Sequence, residues 1–244
     1  MPFVPLRLVL LGVVVIEHHI SFTPPAKATN DDQVHGSTAE WLWMLMLKIL
    51  NLIMWMIFTI EATVVLAPHV INPSSTLSHV LHELCLSPSS ENFSDISPLF
   101  LVGVSLSTLG TSLRIACFRS LGPLFTFTHT TRASHQLVST GSYAIVRHPG
   151  YTAAVILRIG LLFCLFTRGG WLLGCLMPAF SDGGGGSGLL GRVVQRMLVV
   201  WSVVEAFAMI LRARREDDSL HRRFGTKWEE YARRVPYRFI PCVI

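Results

Sequence analysis

Long apolar runs, a low charge content and basic residues gathered beside those runs predict an all-α fold, a polytopic helical membrane protein with a basic cytosolic loop and amphipathic C-terminal helices. Apolar side chains make up 51% of the 244 residues and charged ones 14%, against about 25% charged in soluble globular domains. At roughly 20 residues per crossing, such a chain supplies about five spans with connecting loops. The excess of Lys and Arg, 20 against 15 acids, does not point to nucleic acid, because the basic residues are not interleaved with aromatics as on a base-stacking platform.

The elements follow in order. Leu6 to Ile20 is an apolar run with Arg7 at its start and interrupted at its end by Glu17, His18 and His19. It is short for a span and fits a cleaved signal peptide, a signal anchor or a first helix. Trp41 to Ala67 is a span whose Lys48, Asn51 and Glu61 must face protein, water or an interface. Leu99 to Phe118 is the next. Thr152 to Phe166 follows, with Trp171 to Phe180 as the return arm of a short hairpin, and Leu189 to Leu211 is the last. Residues 181–188, SDGGGGSG, read as a linker and not as a phosphate loop, since no Lys-Ser/Thr follows the glycines. The division along the chain is an N-terminal segment over 1–40, two spans with their loop over 41–118, and a functional core over 119–244.

The connecting segments differ in charge. Residues 68–97 hold Glu83, Glu91 and Asp95 but no Lys or Arg, whereas 112–151 hold Arg114, Arg119, Arg132 and Arg147 and no acid. Residues 212–244 carry nine basic residues against five acids. Basic segments stay on the cytosolic side, so the last two regions are expected there and 68–97 across the membrane. Asn92-Phe93-Ser94 is then a glycosylation sequon on the lumenal side.

Chemistry concentrates in a loop and a tail. Residues 135–151 read HQLVSTGSYAIVRHPGY. Gly141 permits a sharp turn, Tyr143 offers a ring with a hydroxyl, and Arg147-His148 set a permanent charge beside a titratable one. Pro149 biases His148 towards extended backbone, so a helix is expected just after it, its first N–H groups open to anionic ligand groups. An interfacial loop, with Arg and His at headgroups, is the alternative. The tail, RARREDDSLHRRFGTKWEEYARRVPYRFIP from Arg212, puts Arg212 and Glu216 at i and i+4 on one helical face. Leu220 and Phe224 continue a stripe that Gly225 breaks, and Pro236 stops a second short helix. A headgroup-binding basic face is the alternative here.

Loop and tail together resemble the isoprenylcysteine carboxyl methyltransferase family. The loop matches its pattern at His135, Leu137, Val138, Gly141, Tyr143, Arg147, His148, Pro149 and Tyr151. The tail matches at Arg212, Glu216, Ser219, Leu220, Phe224, Gly225, Trp228, Tyr231, Arg234, Val235 and Pro236. The resemblance implies S-adenosyl-L-methionine as methyl donor, prenylated CaaX-processed proteins as substrates in a bed of membrane lipid, and residence in the endoplasmic reticulum membrane. It also implies that Thr128, His135, Gln136, Leu137, Val138, Tyr143, His148, Pro149, Gly150, Tyr151 and Glu216 bind the cofactor, with Arg212 and Glu216 catalytic and Arg212 holding the substrate carboxylate. Arg147 either touches ligand or anchors the loop.

There are departures: Thr128 stands where the family carries an amide, Ala153 where it carries Gly, and Arg214 and Arg215 in an otherwise acidic run. A phospholipid-amine methyltransferase and a catalytically degenerate membrane paralogue are the rival readings. Elsewhere, His79 and His82 lack further metal ligands, so no metal is expected. Cys85, Cys117, Cys164, Cys175 and Cys242 form no CxxC pair, and Cys242 is third from the end, not fourth as prenylation requires. Glu205 within the last span is either functional or paired with Arg158, Arg192 or Arg196.

Overall fold

A computed structural model of the chain describes residues 6–25, 33–34, 38–70, 96–122, 125, 127, 130–131, 136–167, 169–174 and 187–242. Its helices are α1 (Leu6–Phe22), α2 (Thr38–Val70), α3 (Pro98–Leu121), α4 (Pro149–Leu165), α5 (Trp171–Gly174), α6 (Ser187–Phe224) and α7 (Thr226–Arg234). A two-residue antiparallel bridge pairs Gln33 with Thr131 and Val34 with Thr130.

Three helices among the described residues are long and apolar enough to cross a membrane: Trp41–Leu66, Pro98–Leu121 and Arg192–Phe224. The α1 and α4 helices, of 17 residues each, fall just short of the ~20 residues of a full crossing. The chain is a helical membrane protein.

Local chemistry explains the helix ends. Ser97 caps α3, its Oγ accepting the Phe100 N–H at 3.1 Å, with Pro98 in the first helical position, where a missing N–H costs nothing. The α4 helix starts at Pro149 itself, one residue earlier than expected, for the same reason. The expected linker over 181–188 is already helical at Ser187 and Gly188, and its earlier part lies outside the described residues. The last span and the first tail helix, expected as separate pieces, are one continuous helix to Phe224. Gly225, at φ +51 with nothing within 4 Å of a hypothetical Cβ, makes the break before α7. Residues 68–97, with their sequon and paired histidines, lie outside the described residues except at 68–70 and 96–97.

The chain divides into two compact units. One comprises Met1–Glu17, Leu52–Ser107 and Arg158–Val203. Within it Arg7 is almost fully buried: it pairs with Glu61 (Nε to Oε1, 3.5 Å), donates to the Cys164 carbonyl at 3.4 Å, and lies 4.2 Å from the Phe100 ring centre. Glu61 also accepts the Trp171 N–H at 3.3 Å. These contacts meet the need for an acid inside a membrane segment to find a partner. Helices α3 and α4 approach closely here, since a Cβ on Gly103 would meet the Gly160 carbonyl at 2.8 Å. Small residues permit such backbone approach between spans.

The other unit comprises His18–Asn51, Thr108–Leu157 and Val204–Ile244. Its core joins Phe22, Leu47, Phe127, Ala154, Leu157 and Met209. Buried Arg114 donates from Nη1 to the Gly150 carbonyl (2.8 Å) and from Nε to the Ser21 carbonyl at the C-terminal end of α1. The rings of Phe22, Phe118, Phe125 and Phe127 stand 5.2–5.8 Å from this guanidinium, an aromatic surround that favours a cation electrostatically. Ala153 is buried, and its carbonyl lies close to Gly110 of α3: a Cβ on that glycine would stand 2.8 Å from it. Of the polar residues expected to avoid lipid, Asn51 and Glu61 are buried and Lys48 is exposed.

Candidate active site

The site lies within the second unit, where the start of α4 meets the C-terminal half of α6 and the tail. Gly141, at φ +62, turns the chain into a short 3-10 segment, Gly141–Ala144, which places Tyr143. The Tyr231 hydroxyl of α7 donates to the Tyr143 carbonyl at 2.9 Å, tying α7 to the loop. Burial, together with neighbouring negative groups, pushes the Tyr143 phenol far above its ordinary range, so it stays neutral and serves as a donor.

Beyond Tyr143 the loop is held by the tail. The Arg147 N–H donates to the Tyr237 carbonyl (2.9 Å) and the His148 N–H to the Arg238 carbonyl (2.8 Å). The Thr152 hydroxyl donates to the Phe239 carbonyl at 2.8 Å. The first N–H groups of α4 were expected to be open to an anionic ligand. Those of Tyr151 and Thr152 turn back to the His148 carbonyl at 3.1 and 3.4 Å, and the Arg147 and His148 N–H groups ahead of the helix are also taken by the chain's own carbonyls.

Side chains converge on two consecutive acids of α6. The Tyr151 hydroxyl donates to Glu216 Oε1 at 2.6 Å, and Arg212 Nε donates to the same oxygen at 3.1 Å from one turn earlier. His148 sits astride the acids: Nε2 is 3.0 Å from Asp217 Oδ1, and Nδ1 is 3.6 Å from Glu216 Oε2. The second separation is an ion-pair distance and not a hydrogen bond. Arg238 Nε donates to Asp217 Oδ2 at 3.0 Å, and Arg147 Nη1 stands 3.7 Å from that oxygen. Burial works against a charged imidazole, but the hydrogen bond to Asp217 and the charges of Asp217 and Glu216 outweigh it and raise His148 above its ordinary value of 6.5. A protonated ring donates from both nitrogens, which is what two flanking carboxylates require.

The two acids differ in exposure. The Asp217 side chain is 4% exposed, whereas those of Glu216 and Arg212 are 29% and 22% exposed. Asp217 is therefore enclosed, and Glu216 with Arg212 forms the reachable face. An ionised carboxylate offers about four acceptor sites. Glu216 gives two to Tyr151 and Arg212 on Oε1, while among the described residues Oε2 faces the longer His148 contact. Capacity remains for a donor from a bound molecule.

Of the residues singled out by sequence, the structure brings His148, Tyr151, Arg212 and Glu216 into direct contact. Pro149 and Gly150 supply the start of α4, and the Gly150 carbonyl is committed to Arg114. Tyr143 joins through Tyr231. Gln136, exposed, and Leu137 and Val138, half-buried, run as irregular chain and make no hydrogen bond to the cluster among the described residues. Thr128 and His135 lie outside the described residues. Asp217 and Arg238 were missed. The one signal for Asp217 was its adjacency to Glu216, since successive helical residues point about 100° apart and can flank one ring. Nothing in the spacing marked Arg238.

Residues 103–180 match the model of the isoprenylcysteine carboxyl methyltransferase family. The matched stretch includes Tyr143 and His148–Tyr151 and stops short of Arg212 and Glu216. Among curated proteins, the chain is similar to Delta(14)-sterol reductase TM7SF2 of Mus musculus, with 28% identity over 114 residues, 46% of this chain and 21% of that protein. The chain thus covers about a fifth of that relative's length. No solved structure matches it. The similarity to the isoprenylcysteine carboxyl methyltransferase family is thus confined to residues 103–180, less than half of the chain.

Proposed function

We propose that the protein uses S-adenosyl-L-methionine to methylate the C-terminal prenylcysteine carboxylate of prenylated proteins, at a core formed by residues 119–244. The observation that carries this reading is the half-exposed Arg212–Glu216 pair held against Tyr151 and His148 of the family domain. The cofactor's donor set suits Glu216, whose second oxygen has acceptor capacity for an amine or a ribose hydroxyl. His148 and Tyr151, their rings stacked 5.7 Å apart, offer a flat face beside it. Gln136, Leu137, Val138, Tyr143, Pro149 and Gly150 complete the wall in this reading, with Thr128 and His135.

When bound, the cofactor supplies a methyl group on a sulfonium. The acceptor carboxylate, with a pKa near ~3.5, is already ionised at neutral pH and needs no general base. Arg212 holds that carboxylate, because a planar guanidinium matches two carboxylate oxygens. Its Nε bond to Glu216 fixes the fork's plane and sets acceptor and donor sites one helical turn apart. Catalysis then comes from alignment and from exchanging water around the carboxylate for fixed partners. The prenyl chain reaches the site from the bilayer. The reading also places the protein in the endoplasmic reticulum with loop and tail cytosolic. Labelling of exposed Cys242 in sealed microsomes tests the orientation, and protection of that thiol speaks against it.

The match to a sterol reductase favours a second reading, in which the same cluster serves reduction of an apolar lipid, with a bound nicotinamide-type cofactor as hydride donor and water as proton source. Purified protein should bind labelled S-adenosyl-L-methionine and methylate a prenylcysteine analogue. Binding with transfer only to a phosphatidyl-amine moves the acceptor to a lipid headgroup. Binding without any transfer identifies a degenerate paralogue. Absent binding, with a sterol reduced instead, refutes the methyltransferase reading.

A further inference from the structure

We infer that Asp217 is a positioning residue of this site, and that Arg238 of the C-terminal tail completes it. Asp217 fixes Nε2 of His148 so that the other ring nitrogen faces Glu216. The inference rests on the reading of Glu216 as a cofactor contact and extends it to residues that no motif marks.

Three observations carry it. First, both Asp217 oxygens are engaged, Oδ1 by His148 and Oδ2 by Arg238, each at 3.0 Å. At 4% exposure the side chain serves the ring and the tail and not a ligand. Second, the tail and loop are already joined by main-chain bonds from Arg147 to Tyr237 and from His148 to Arg238. Arg238 thus contacts His148 twice, directly through its carbonyl and indirectly through Asp217. Third, the imidazole has only two nitrogens. With Nε2 committed to Asp217, Nδ1 is the one 3.6 Å from Glu216 Oε2, and the ring cannot rotate without breaking the shorter bond. His148 transmits position from an enclosed acid to a reachable one, as outer partners of an imidazole commonly orient it.

The charged and titratable groups facing this ring are Glu216 and Asp217 on α6, Tyr151 on its own segment, and Arg147 and Arg238 through Asp217. Arg212 acts through Glu216. Removing the Asp217 charge withdraws the nearest stabiliser of the imidazolium. Removing Arg238 withdraws a cation and leaves Asp217 freer to serve the ring. The two substitutions therefore move His148 in opposite senses, which damage to folding alone would not do.

The experiment uses the full chain in detergent micelles, without added cofactor, and follows the His148 imidazole by NMR with labelled histidine, assigned through His148→Asn. In Asp217→Asn the ring should titrate roughly one to three units lower than in the wild type. Asp217→Glu should restore most of the shift, and Arg238→Gln should titrate at or above the wild-type value. Titration unchanged in folded Asp217→Asn overturns the inference. Should Asp217→Asn not fold, Arg238→Gln decides: a lowered titration there breaks the link from tail to ring. Binding of labelled S-adenosyl-L-methionine supplies the second readout, weakening at least several-fold in Asp217→Asn. Unchanged binding with a lowered titration refutes positioning of the cofactor contact. If the wild type binds none, the methyltransferase reading fails while the titration still judges Asp217.

Discussion

Replacing Tyr151 with Phe removes one oxygen and keeps the ring, which isolates the hydrogen bond to Glu216. That bond is 2.6 Å long and ends on a carboxylate oxygen, the short charge-assisted kind. Bonds to charged groups contribute about 1.5–3 kcal/mol. The lower end applies here for two reasons: Arg212 shares the same oxygen at 3.1 Å, and the Glu216 side chain is 29% exposed. Glu216 therefore keeps a partner when the phenol is lost, and no buried charge is orphaned. Because Phe also changes hydration, the quantity to measure is the coupling in a cycle of Tyr151→Phe, Glu216→Gln and the double variant. It is read from unfolding in a fixed detergent and is expected to be about 1–2 kcal/mol. Additivity within roughly 0.5 kcal/mol would refute the claim that this contact holds α4 to α6.

Arg212→Lys keeps the charge and loses the planar fork. Methylation efficiency should fall about ten- to hundred-fold, equivalent to roughly 1.5–3 kcal/mol, with cofactor affinity little changed. Wild-type kinetics would return Arg212 to a surface role. His148 is raised above 6.5 in the folded protein, so its stabilising contribution is fully present below 6.5 and is lost as pH rises through the raised value. The stability gap between wild type and His148→Asn should therefore shrink with rising pH above 6.5, and a gap that widens contradicts the assignment. Gly110→Leu forces atoms against the Ala153 carbonyl and Leu157 N–H, at 2.8 and 2.7 Å from the first added carbon. It should cost at least about 1–3 kcal/mol, seen as lower yield of folded protein, and wild-type stability would show that α3 and α4 separate easily.

Sequence carried the helices further than it carried their joints. Apolar runs located α2, α3 and α6 because lipid demands long uninterrupted stretches, and Ser97-Pro98 and Gly225 mark helix ends through local chemistry. The fusion of span and tail into one helix was not legible: charge density changes sharply after Leu211, but helical propensity does not. In the site, i and i+4 spacing was enough to pair Arg212 with Glu216, since that contact is made within one turn. His148–Asp217 and Asp217–Arg238 span 69 and 21 residues, and only tertiary packing sets them. The close approach of Gly110 to the Ala153 carbonyl joins two helices, and nothing in either local sequence marks it.

Arg7 has a consequence for biogenesis. Its acid partner, Glu61, is made 54 residues later, and the Cys164 carbonyl that it also touches is 157 residues away. A guanidinium left without its acid opposes insertion of the helix that carries it, by about 2.5–3.5 kcal/mol at a helix centre and by less in the first turn, where Arg7 sits. The first helix is therefore expected to wait at the translocon or the membrane surface until α2 has emerged, and to settle with it as a pair. Glu61→Leu should leave the first helix extractable at alkaline pH in ribosome-stalled chains, where the wild type resists extraction. On that account, the ionic pair sets the order in which the ribosome's product becomes a membrane protein.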